Sequence, residues 1–205
     1  MARIQLGDVS KPSNHGLNPE ELTIEQRLAS GFILLDKPPG PTSHQIASWV
    51  RDLLGLERLG HGGTLDPFAT GVLPLMAGKS MKLTKGILKT DKTYIAVLKF
   101  AQETNIDSLN EVIDKLTGRI YNVPPEISAV KVQVRTRKIY KFELIENNSK
   151  QAIVRIFCEA GTYIRTIARD MGLLLGYNVE LKELRRENSG RFNLTDCVTL
   201  QEIAD

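Results

Sequence analysis

The chain has 205 residues, 41% of them hydrophobic and 25% charged, with a formal net charge of +3. That length fits one domain, or one domain with a small appendage, and the balance is that of an ordinary soluble globular protein. No apolar run reaches membrane-spanning length, the N-terminus lacks the apolar core of a secretory signal, and two cysteines with three scattered histidines show no zinc spacing.

Residues 1–20 are polar, with Pro12, Gly16 and Pro19, and are expected to form a flexible or loosely docked arm before a domain spanning 21–205. GFILL (31–35) is a short apolar run suited to a buried strand, which DKPPGPTSH then breaks. A helix follows, capped by Thr42 or Ser43. Ile46, Trp49, Val50, Leu53 and Leu54 fall at helical spacing along it, and Gly55 suits its end. KTYIAVLKF alternates as a strand, with Tyr94, Ala96, Leu98 and Phe100 sharing one face. Ser108 and Glu111 have the spacing of a capping box opening a helix whose apolar face is Leu109, Val112, Ile113 and Leu116.

SAVKVQV, KIYKFELIE and QAIVRIFCEA read as three consecutive strands, the last two joined by a turn at NNSK. Cys158 lies in the third of them and is expected to be a buried free thiol, which points to a cytosolic protein. GTYIRTIARDMGLLLG opens a helix with Ile164, Ile167, Ala168, Met171 and Leu175 as its buried stripe and with Arg165 and Arg169 off it. VELKELRRENSGRF reads as a last strand and turn. Strands in runs with a few inserted helices argue an α+β domain.

Charge is unevenly spread. Lys79, Lys82, Lys85, Lys89 and Lys92 face only Asp91 in one run, and Lys131, Arg135, Arg137, Lys138 and Lys141 meet no acid in another. Either run alone is as readily a solvated face; two together suggest a polyanionic partner. Within HGGTLDPFATGVLPL (61–75) a single carboxylate, Asp66, stands among glycine, threonine, proline and apolar residues. Asp-Pro is a common loop starter, so Asp66 has a plain turn reading beside a catalytic one. The catalytic reading needs partners. Arg165 near the start of a helix could hold the acid ionised and oriented, and Tyr94 in mid-strand could offer an aromatic wall.

The residue strings decide between these readings. GHGGTLDPFATGVLPL resembles the G-H-x-G-T-L-D-P-x-A-T-G-x-L signature of the TruB and dyskerin family of RNA pseudouridine synthases. LDKPPGPTSH, KTYIAVLKF, VPPEISAVKV and the pair GTYIRTIARDMGLLLG with LKELRRENSGRF resemble further motifs of that family, in the family's order. The resemblance implies a pseudouridine synthase fold: a mixed, mainly antiparallel sheet flanked by helices, with a central active-site cleft. It also implies an isomerase that breaks the N1–C1′ bond of a uridine, rotates the base and rejoins it through C5. No redox change or group donor enters that reaction, so neither cofactor nor metal is expected.

Carried over by position, Asp66 is the catalytic aspartate, Tyr94 the tyrosine that stacks on the uracil and shares in proton removal, and Arg165 the arginine paired with the acid. His61 matches the histidine that displaces the target base, Leu184 an apolar residue packed near it, and Tyr163 a pocket-lining residue. Lys37 and Pro38 match the first motif, which supports the active-site loop, and Lys37 is counted among the substrate-side residues. The base must leave its stack at a cost of a few kcal/mol, and stacking on an aromatic platform recovers about 1–3 kcal/mol.

AVKVQVRTRKIYKFELIE and CEAGTYIRT resemble the dyskerin branch, although Val132 stands where that branch usually has a basic residue. That branch implies work within an H/ACA ribonucleoprotein, with a guide RNA choosing the uridine (rRNA targets) and small accessory proteins docked on the domain, in the cytoplasm or, in a eukaryote, the nucleolus. Phe68 and Ala69 are closer to the bacterial branch, whose relatives act alone on the tRNA T-loop. That is the second reading, and a catalytically inactive RNA-binding relative the third. The family ordinarily continues past TLQEIAD into a PUA domain; the expectation here is the catalytic domain without it.

Overall fold

The computed structural model describes residues 21–123 and 134–205. The arm at 1–20 and nearly all of the strand expected at 128–134 lie outside the described residues. α1 (Ile24–Leu28) leads into β1 (Phe32–Lys37), α2 (Ser43–Leu53), β2 (Leu59–His61) and β3 (Thr70–Ala77). α3 (Thr84–Leu88), β4 (Lys92–Phe100), α4 (Ile106–Leu116), β5 (Gly118–Asn122), β6 (Arg135–Asn147) and β7 (Gln151–Cys158) follow. The chain closes with α5 (Ile164–Leu175), β8 (Val179–Ser189), β9 (Phe192–Asn193) and α6 (Leu200–Ala204).

These strands form one sheet in the order β1-β3-β8-β4-β7-β6-β5, with β2 on β3 and β9 on β8. Every pairing between these strands is antiparallel except β3 with β8, where Thr70 and Gly71 lie beside Arg185 and Arg186 in parallel register. Gly71 is forced at that seam. Its φ is +99°, and a Cβ there would stand 2.2 Å from the Arg186 carbonyl oxygen, inside any permitted contact.

Two cores hold the layers. α4 and α5 lay Leu109, Val112, Ile113 and Leu116, and Ile164, Ile167, Ala168 and Met171, against Tyr94, Ala96, Leu98 and Phe100 of β4 and the buried residues of β6 and β7. α2 sets Ile46, Ala47 and Val50 on Leu35, Leu73 and Leu75. Each such aliphatic side chain taken fully from water contributes roughly 1.5–3 kcal/mol.

The differences from expectation have local causes. α4 starts before Ser108, because the Asn105 side chain accepts the Ser108 N–H at 2.8 Å and caps the helix instead; Ser108 then sits inside the first turn. On α2 Thr42 is the cap, in a capping box with Gln45. Its apolar arc is wider than the surface it covers, so Trp49 and Leu53 stay 52% and 50% exposed. Lys92 leaves the expected basic face altogether. It is buried, with its ammonium donating to the carbonyls of Ile87, Leu88 and Thr90. In the second run Arg137 and Lys141 are ion-paired to Glu159 and Glu143. Cys158 is buried and free, as its apolar setting predicts. Among the described residues no helix is long and apolar enough to cross a membrane.

Candidate active site

Asp66 opens a tight turn whose Ala69 N–H returns to the Asp66 carbonyl at 3.0 Å, with Pro67 fixing the backbone after the acid. The turn reading therefore does not compete with the catalytic one: the turn aims the carboxylate. Its Oδ1 accepts from Arg165 Nη2 at 2.9 Å, both side chains being about one-third exposed. Arg165 is placed by the first turn of α5. There the Asn122 side chain clasps the backbone of Tyr163, accepting its N–H at 2.8 Å and donating to its carbonyl at 3.3 Å. Tyr163 itself is half-buried.

The loop carrying Asp66 is braced from beneath. Lys37, wholly buried, donates its three N–H groups to the carbonyls of Pro38 (2.9 Å), Pro67 (3.0 Å) and Ala69 (2.9 Å). This geometry makes Lys37 a strut for the turn and leaves it no donor for RNA. Burial lowers its pKa, and the charge of Asp66 partly restores it. Ser43, at the start of α2, accepts the Leu65 N–H at 2.9 Å and donates to the Leu65 carbonyl at 3.1 Å. The Gly40 N–H donates to the Pro67 carbonyl at 2.9 Å.

Tyr94 lies on β4 with its ring in the core beside Leu65 and Leu184. Leu184 stands opposite Ala96 on β8. Burial raises the Tyr94 pKa, the nearby Arg186 charge lowers it, and Asp66 is close enough to raise it further. Asp66, Arg165 and Tyr94, scattered in sequence, thus converge. His61 projects from β2, with its ring edge-to-face on His44 at 4.7 Å between centroids. Burial first, then His44 and Arg186, push its pKa down to about 4. The ring is neutral in ordinary conditions. Its Nδ1 is buried without a partner, which favours a bare lone pair there and the proton on Nε2.

A cavity of about 650 Å³ opens beside the pair between α5 and β8, walled in part by Phe68, Arg165, Leu173 and Leu181. That volume suits a nucleotide-sized ligand. The cavity flanks the Asp66–Arg165 pair, whose acid is not among its walls. Sequence reasoning missed Asn122 and Arg186, and offered Ser43 only as a helix cap, whereas it holds the backbone of Leu65. The signal for Arg186 was present: in a strand that buries Leu184, the residue two places on must point the same way.

A mixed sheet with helices laid across it in this order is the fold of solved pseudouridylate synthases. One such structure covers 85% of this chain at 21% identity with a TM-score of 0.52. Residues 51–164 match the TruB family pseudouridylate synthase N-terminal domain, 7–47 the DKCLD domain, and 165–205 the tRNA pseudouridylate synthase B C-terminal domain. The chain belongs to the TruB family.

It is 43% identical over 190 residues to "Probable tRNA pseudouridine synthase B" of Pyrobaculum calidifontis, covering 93% of this chain and 57% of that protein. It is 46% identical over 176 residues to the protein of the same name from Picrophilus torridus, covering 86% and 50%. The chain thus spans about half to three-fifths of the length of these relatives. Among solved structures, a Cbf5-Nop10-Gar1 complex contains a chain 39% identical with a TM-score of 0.90, covering 95% of this chain and 59% of that one. An H/ACA RNP bound to a substrate RNA containing 2'-deoxyuridine contains one 36% identical with a TM-score of 0.83, covering 94% and 60%.

Proposed function

We propose that this chain is the catalytic domain of an RNA pseudouridine synthase and that it isomerises a uridine chosen by an H/ACA guide RNA. The observation that carries the reading is the Asp66–Arg165 contact at 2.9 Å beside the buried Tyr94: one acid held by one guanidinium, next to an aromatic wall. Asp66 is the reacting carboxylate, acting as nucleophile or base. Tyr94 stacks on the swung-out uracil, and Leu184 and Tyr163 close the pocket. His61, neutral and edge-on, fills the space the base leaves. A neutral ring suits that task, because a wedge between stacked bases works by apolar contact.

Lys37 acts on the loop and not on the base. The exposed Lys79, Lys82, Lys85 and Lys89 supply phosphate contacts. The guide RNA and small accessory proteins complete the particle, and such a protein works in the cytoplasm, or in the nucleolus of a eukaryote. Support for guidance comes from the similarity to a chain solved in an H/ACA RNP bound to a substrate RNA. The names of the curated relatives favour a second reading, action on tRNA.

One assay separates them. Uridine-labelled tRNA T-loop is incubated with the protein alone, and labelled rRNA fragment with guide RNA and accessory proteins added, and pseudouridine is scored. Product only in the assembled reaction supports guidance. Product on tRNA with the protein alone supports the second reading. Tight RNA binding with product in neither ends the enzymatic one.

A further inference from the structure

β8 carries two adjacent arginines, and a strand sends neighbours to opposite sides. Arg185 goes outward to Asp36 at 2.6 Å and Thr70 at 3.2 Å. Arg186 goes inward, is 1% exposed and heads the largest wholly buried side chains. A guanidinium so far from water ordinarily rests on a carboxylate. Among the described residues no carboxylate lies within ion-pair distance of Arg186. Its Nε donates to the Val72 carbonyl at 2.8 Å and its Nη2 to the Gly63 carbonyl at 3.0 Å, which leaves N–H donors to spare.

Packing alone does not ask for this charge. An apolar side chain of similar volume in such a place is often neutral or stabilising. What the charge faces is Tyr94, which stands directly opposite Arg186 across the β4–β8 pair. Against the burial that raises the pKa of the phenol, the guanidinium's charge lowers it. The other titratable groups that face the phenol are Cys158 on β7 and Asp66 on its loop.

We propose that Arg186 is a positioning residue for Tyr94: its guanidinium occupies a lone pair of the phenol oxygen, turns the O–H toward the cleft and stabilises negative charge on that oxygen during uridine isomerisation. The inference rests on the function proposed above. In that reaction the N1–C1′ bond breaks, a C5–C1′ bond forms, C5 gives up a proton and N1 gains one, so the proton count is unchanged. A phenol oxygen that takes the C5 proton must either be a phenolate or release its own proton in the same step. In the first case the charge is on the oxygen before the transfer and is neutralised as the proton arrives, and in the second the net charge is unchanged; the cation opposite acts by raising the share of phenolate ready to take the proton. Because Arg186 also fixes the Gly63 and Val72 carbonyls on either side of the Asp66 turn, it ties the phenol and the acid to one rigid seam.

The test uses protein labelled with 3-fluorotyrosine, in which the fluorine resonance of residue 94 is identified by its loss in Tyr94→Phe. In the native chain that phenol titrates at lower pH than in Arg186→Gln, with Arg186→Lys between them. Single-turnover pseudouridine formation, on whichever RNA the native protein accepts, falls roughly 100-fold in Arg186→Gln. Arg186→Lys recovers part of the rate, and RNA affinity stays within a few-fold. A structural residue alone would not order the phenol titration by retained charge. If Arg186→Gln unfolds, Arg186→Lys against the native chain decides. An unmoved titration in a folded variant overturns the inference, as does an unchanged rate. A native chain that makes no pseudouridine on either RNA defeats the proposed function, while the titration still shows whether Arg186 sets the state of Tyr94.

Discussion

Replacing Lys37 by methionine keeps most of the buried stem and removes the ammonium. Three charge-assisted hydrogen bonds vanish, to the carbonyls of Pro38, Pro67 and Ala69, together worth roughly 5–9 kcal/mol before desolvation. Stripping water from a buried ammonium costs several kcal/mol, so the expected net loss of stability is about 2–4 kcal/mol. The damage is uneven. The Pro67 carbonyl keeps the Gly40 N–H at 2.9 Å, whereas the Ala69 carbonyl loses its ammonium at the closing end of the Asp66 turn. A displacement of about 1 Å at a reacting group can lower the rate on the order of 100-fold. Urea denaturation at neutral pH reads the first quantity, single-turnover pseudouridine formation the second, and filter binding of RNA a third. Affinity stays within about threefold, because the ammonium has no free donor to give a phosphate. A Lys37→Met protein that loses RNA affinity but keeps its stability and rate would refute the strut and return Lys37 to the substrate side.

Asp66→Asn abolishes turnover in the same assay while RNA binding changes by no more than a few-fold; a fully active Asp66→Asn chain removes the proposed chemistry. His61 gives a pH signature. Its folded pKa of about 4 lies below the ordinary imidazole value of 6.5, so the unfolded state binds more protons between these values and stability rises with pH across that window. The contribution is complete above 6.5 and is lost as pH falls toward 4. The denaturation midpoint of the native chain therefore drops on acidification more steeply than that of His61→Gln, and parallel pH curves for the two would contradict the assignment. Gly71→Ala must strain a positive φ, costing about 1–3 kcal/mol from the backbone alone, and must push apart the β3–β8 seam. Thermal melting of that variant reads the loss, and a melt equal to the native one would show the seam to be slack.

The apolar patterns were the readable part of this sequence. Tyr94, Ala96, Leu98 and Phe100 share the buried face that alternation assigns them, and the α4 stripe from Leu109 to Leu116 is buried throughout. The family motifs pointed to Asp66 and Arg165, which touch, but nothing local in either segment shows that contact. Boundaries and polar placements were less legible. Asn105 and Ser108 are both good caps, and only the packing of α4 decides between them. Lys92 looks like its neighbours in a basic run. Its fate depends on three carbonyls that curl back from the end of α3. Arg186 was obscured by its twin, since a doublet of arginines reads as surface charge until the strand's alternation is applied to it.

The parallel seam also sets an order of events. Thr70 and Arg185 are 115 positions apart, yet they are register partners where β3 meets β8. Contacts so remote in sequence form slowly, because a long stretch of chain must be gathered before any of them is rewarded. On the ribosome, the turn bearing the acid is made first, while the guanidinium it meets, 99 positions on, and the strand opposite Tyr94 follow later. A partly synthesised chain has the aspartate on its turn without its guanidinium, so the site is assembled in one late step, when β8 slots between its two neighbours.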